Sequence, residues 1–69
     1  MKIGYVRKRK DGKHLSIKLQ IDELTKKGCE KIYVALDFFD DSIDESEVDR
    51  IDMQNLLRNF SYRDTLVWI

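Results

Sequence analysis

Leu15-Ser16-Ile17-Lys18-Leu19-Gln20-Ile21-Asp22-Glu23-Leu24-Thr25-Lys26-Lys27-Gly28 decides the fold. Read with a period of 3.6, Ile17, Ile21 and Leu24 fall on one helical face at i, i+4 and i+7. Lys26 and Lys27 suit a helix C-terminus, and Gly28 supplies the stop. Read with a period of two, Leu15, Ile17, Leu19 and Ile21 alternate as in a half-buried strand. The strand would close a hairpin over residues 3–21 with Asp11-Gly12 as its two-residue turn. Pairing outward from that turn sets Lys10 opposite Lys13 and Arg9 opposite His14, and directly opposed cations are unfavourable in a sheet. The run also continues through residues 22–27, which suit a helix and hold no break before Gly28. A helix over residues 14–27 is the preferred reading, and the strand alternative stays open for residues 14–21.

The flanking segments are easier to read. Residues 2–6 are short and apolar enough for a buried strand, and a polar stretch with the Asp11-Gly12 turn dipeptide follows over residues 8–13. Residues 31–36 form a second buried strand. Residues 37–49 are acidic and have a loop's polarity. A second helix then places Met53, Leu56, Leu57 and Phe60 inward at i, i+3, i+4 and i+7, with Asn55 and Arg58 outward. Ser46 with Asp49 three residues on suits a capping-box variant, with a start nearer Asp49 as the alternative. Residues 65–69 are β-branched and aromatic, as in a third strand. The order is β-α-β-α-β, so the expected fold is α/β, a small three-stranded parallel sheet with right-handed crossovers in one domain over residues 1–69.

Sixty-nine residues bury only roughly 60% of their unfolded surface, so stability is expected to be modest. At 42% hydrophobic and 38% charged, the chain has no apolar run near the ~18 residues of a membrane span, and a cytoplasmic location is expected. Cys29 is alone, which leaves no disulfide framework. The zero net charge hides a split. Residues 1–31 hold ten Lys/Arg against four Asp/Glu, and residues 32–69 hold three against nine, giving +6 and −6. Such a split suits charge-complementary association between copies and argues against strong nonspecific DNA binding by the whole chain.

Four blocks carry a family resemblance. Met1-Lys2-Ile3-Gly4-Tyr5-Val6-Arg7 resembles the first strand of the serine recombinases, the resolvases and invertases. Residues 16–24 are similar to that family's S-L-x-x-Q-x-x-x-L helix, and residues 27–33 to the turn and strand after it. Residues 50–57 resemble its R-P-x-L-Q-x-L-L helix, with Ile51 where proline is usual, and residues 63–68 its G-D-T-L-V-V-W strand. An apparent two-residue insertion lies between Arg7 and Ser16. The resemblance implies the first half of the resolvase catalytic domain, with the first strand in the middle of the sheet. It also implies site positions at Tyr5, Arg7 and Arg50.

Departures from the family pattern bear on catalysis. The family's nucleophilic serine stands two residues after the first arginine, where this chain has Arg9 (or Lys8 or Lys10 if the register slips). Phosphodiester cleavage needs that hydroxyl and several arginines to neutralise charge on phosphorus. The family's next motif, Lys-Leu-Asp-Arg-Leu-Gly-Arg, would begin just past Trp68, so the chain reads as a truncated domain without enzyme activity. Ser16, the nearest serine, has no evident activating base. An anion site between Arg7 and Arg50 remains a candidate.

Other constellations are weaker. Arg7, Lys8, Arg9, Lys10 and Lys13, with His14, could grip a nucleic-acid backbone, weakly and with salt sensitivity. The carboxylates of residues 37–49 lack the spacing of an EF-hand, His14 has no partner at metal-ligand spacing, and no glycine-rich phosphate loop exists, so no metal or cofactor is expected. Leu66, Trp68 and Ile69 form a candidate interaction surface, because a missing neighbour would leave an apolar strand uncovered. The expected function is a non-catalytic resolvase-like domain of a mobile element that regulates recombination by binding an intact recombinase or itself. The alternatives are a weak nucleic-acid-binding module at residues 7–14 and a functionless gene fragment.

Overall fold

The computed structural model describes residues 1–8 and 15–69. Three strands, β1 (Lys2–Val6), β2 (Lys31–Val34) and β3 (Thr65–Val67), form one parallel sheet in the order β2-β1-β3. The first strand is therefore central. Helix α1 (Ile17–Lys26) connects β1 to β2, and helix α2 (Met53–Arg58) lies between β2 and β3. This is the α/β, β-α-β-α-β architecture expected from the hydrophobic pattern.

The deciding stretch is a helix. Ile17 and Leu24 are fully buried and Leu19 is 51% exposed, which is the helical face and not the alternating one. Ser16 caps α1 by accepting a hydrogen bond on Oγ from the Leu19 amide at 3.2 Å. At the other end Gly28 adopts φ 88°, a left-handed conformation that costs any side-chain-bearing residue. Its amide donates to the Thr25 carbonyl and the Cys29 amide to that of Leu24, so the last turn closes as a Schellman motif.

Strand alternation sends Gly4 and Val6 toward α1. A β-carbon on Gly4 would stand 3.0 Å from Leu24 Cδ1 and 3.2 Å from Cys29 Sγ, so the missing side chain lets the helix sit close. Ile3 and Tyr5 face the other way. There Ile3, Tyr33, Ile51 and Leu56 line a cavity of 330 Å³, which puts α2 on the opposite face. Helices on both faces are what two right-handed crossovers running in opposite directions produce.

Several expectations need correction. Strands β2 and β3 end at Val34 and Val67, short of residues 36 and 69. Helix α2 starts at Met53 with Asp52 as its cap, whose Oδ1 accepts from the Asn55 amide at 2.7 Å. Ser46 lies instead in a 3-10 turn, Glu45–Glu47, capped by Asp44. Because α2 has six residues, it turns one buried side chain, Leu56, to the core. Leu57, about 100° further round, is 53% exposed, and Phe60 lies beyond the helix end. Nor is the acidic segment wholly solvated, because Phe38 within it is 1% exposed and among the largest fully buried side chains. The Asp11-Gly12 turn lies outside the described residues.

Candidate functional site at the carboxyl edge of the sheet

All three parallel strands end at one edge. Chain leaving β1 enters α1 on one face, and chain leaving the adjacent β2 goes on to α2 on the other. The region beyond strand ends that diverge in this way is the usual ligand position in open α/β sheets, whereas the 330 Å³ cavity, which Met1, Lys31 and Asp64 also line, lies toward the amino ends. Tyr5, Arg7 and Arg50, the positions implied by the recombinase resemblance, all belong to this edge.

Tyr5 is 5% exposed, and its hydroxyl donates to the Ile51 carbonyl at 3.4 Å. Burial pushes its pKa above the ordinary tyrosine value. The Asp37 and Asp52 carboxylates push the same way, and Arg7 opposes them. The phenol is therefore kept neutral among two anions and one cation, a hydrogen-bond donor and not a nucleophile at physiological pH.

Arg7 is fixed through its backbone. Gln20, fully buried on α1, accepts from the Arg7 amide at 3.4 Å and donates through Nε2 to the Arg7 carbonyl at 3.1 Å. The same Nε2 donates to the Leu15 carbonyl at 2.9 Å. One side-chain amide thus ties the exit of β1 to the entry of α1. The Arg7 guanidinium extends across the Trp68 ring, 5.4 Å from its centroid.

Arg50 is used differently. It lies before α2 and bridges Val34 in parallel, extending the sheet beyond β2 by one residue. Its Nη1 donates to the carbonyls of Ala35 (2.9 Å) and Phe38, Nη2 stands 3.7 Å from Glu45 Oε1, and the guanidinium stacks 4.7 Å from the Phe39 ring centroid. Its Nε is buried without a hydrogen-bond partner among the described residues. The guanidinium is therefore occupied in holding the loop after β2, which argues against a shared anion site with Arg7. Ser16, the serine nearest to the family's nucleophile position, has its oxygen engaged as the α1 cap.

The remaining candidates divide between described and undescribed positions. Lys8 is exposed, whereas Arg9, Lys10, Lys13 and His14 lie outside the described residues. Leu66 pairs with Ile3 and is half-buried. Trp68 is 47% exposed, and Ile69 is half-buried beyond the strand end. Among the described residues the outer edge of β3 has no neighbouring strand, while that of β2 is partly covered by the Arg50 bridge. Among those residues, too, no group of three His, Cys, Asp or Glu side chains converges to hold a metal ion. No helix there is long and apolar enough to cross a membrane.

Sequence reasoning gave no role to Phe38, Phe39 or Asp52, and met Gln20 only within a residue block and Asp37 only among the carboxylates of residues 37–49. Gln20 left a signal, since it stands at i+3 from Ile17 on the apolar face of α1, where a polar residue must find buried partners. Phe38 and Phe39 left none beyond being aromatic in an acidic run. Chemically the edge offers a neutral phenol, exposed carboxylates and two guanidinium–aromatic pairs. Aromatic rings joined to arginine are the composition of protein-binding hot spots. No family model, curated protein or solved structure matches this chain.

Proposed function

We propose that this chain is a non-cleaving resolvase/invertase-like domain, linked to site-specific DNA recombination by its residue blocks, that acts by binding another protein. One observation carries the binding role. Trp68 stands 47% exposed just past the end of β3, an edge strand with no outer neighbour among the described residues, with the Arg7 guanidinium across its ring. A large ring ordered by a cation before any partner arrives loses little further freedom on binding. The absence of cleavage is supported by Arg9 at the family's serine position and by the engagement of Arg50 with loop carbonyls. The nucleic-acid alternative is disfavoured, because the exposed carboxylates of the loop after β2 would repel a phosphate backbone at the same edge.

The test is a recombination assay with an intact serine recombinase, run with and without the purified chain. The wild-type chain is expected to change the recombination rate, and Trp68→Asp, checked for folding by circular dichroism, is expected to abolish that change. A rate indifferent to the wild-type chain would overturn the reading.

A further inference from the structure

Among the described residues, large exposed apolar side chains at the amino edge, on the outer helix faces and in the turn before β3 are scattered. Leu36, Phe39 and Trp68 are different. They are 49%, 62% and 47% exposed, and all three leave the carboxyl ends of strands, so they share one edge of the molecule. Two of them carry a stacked guanidinium.

The same edge is bipolar. Chain leaving β1 presents Arg7 and exposed Lys8, whereas chain leaving β2 presents exposed Asp37 and Asp41. Residues 35–49 contain seven Asp/Glu and no Lys or Arg. A nucleic acid would meet repulsion from that half, and a partner of one charge sign would be repelled by the other half. A partner carrying the same two patches side by side satisfies both. In a two-fold contact each residue i meets j of the copy while j meets i, so a surface of adjacent opposite charges complements itself.

We propose that the carboxyl edge of the sheet is a self-association surface whose occupant is a second copy of this chain. The β1 exit of each copy faces the β2 exit of the other, and Leu36, Phe39 and Trp68 are buried between them. This rests on the protein-binding reading above and names the partner.

Sedimentation velocity of the full chain over a wide concentration range, at low and high salt, tests it. The wild type is expected to dimerise, more weakly at high salt. Lys8→Glu or Asp37→Lys alone should raise the dimer dissociation constant about tenfold or more, as loss of a close charge pair does. Both side chains are exposed, so the variants should fold, and circular dichroism checks that. Combining the two exchanges in one chain should restore dimerisation, because the swapped patches again complement each other across the two-fold axis. A wild-type monomer at every concentration would overturn the proposal, as would a dimer indifferent to both exchanges. If that monomer still changes recombination in a Trp68-dependent way, the second copy fails as partner and the protein-binding reading stands. A charge-dependent dimer without effect on recombination gives the opposite result.

Discussion

Gln20 occupies a position on α1 where the pattern of Ile17, Ile21 and Leu24 calls for an aliphatic side chain. It is fully buried with its amide hydrogen-bonded to the Arg7 amide and carbonyl at the exit of β1 and to the Leu15 carbonyl at the entry of α1. Gln20→Leu would keep the volume and gain apolar burial but strand those three groups. Since each unsatisfied buried group costs about 1–3 kcal/mol, a net loss of about 2 kcal/mol is expected. Urea unfolding measures it, and a midpoint equal to the wild type's would show that water replaces the amide freely.

The segment between β2 and α2 shows how an irregular element is held. Its 3-10 turn is too short to order it, and its acidic side chains contribute little packing. Phe38 plugs it into the core, and Arg50 ties its start to its end through two carbonyls, Glu45 and the Phe39 ring. Lysine could not reproduce that planar fork. Removing charge-assisted hydrogen bonds worth about 1.5–3 kcal/mol opens the segment locally before it unfolds the sheet. Arg50→Ala is therefore expected to accelerate limited proteolysis within residues 36–49 by about tenfold or more, the factor that 1.4 kcal/mol represents. Cleavage at the wild-type rate would show that Phe38 alone holds the loop.

The whole molecule has little stability in reserve. Its Cα radius of gyration is 11.5 Å, and its core is a single cluster gathered around Val6, Ile17, Leu24, Val34, Phe38 and Leu56. A core of this size supplies no more than about 3–5 kcal/mol of net stability. The α2 face depends on one anchor, Leu56, beside a 330 Å³ cavity. Leu56→Ala should cost about 2–5 kcal/mol, comparable to the total. The expected result is loss of a cooperative thermal transition followed by circular dichroism. A transition only slightly lowered would mean that the cavity collapses to refill the site.

Element order and type were legible from local chemistry: the period of residues 17–24, the Gly28 stop and three short apolar runs imply a parallel α/β sheet. Periodicity reports which face of an element is apolar, and that property belongs to the chain itself. It could not say that Leu57 points outward, because the length of α2 and its Asp52 cap set the helix phase against the sheet. Nor could it place Gln20 or Arg50, whose hydrogen-bond partners lie up to 13 and 15 residues back and become neighbours only when the chain packs against the end of the strand it has just left. Trp68 was legible as apolar and near the end of a strand. Its meeting with Arg7 required β1 and β3 to pair in parallel, 61 residues apart by number. Faces follow from local sequence, whereas the partners of buried polar groups follow from topology, since burial makes a hydrogen bond obligatory and only the fold supplies the other half.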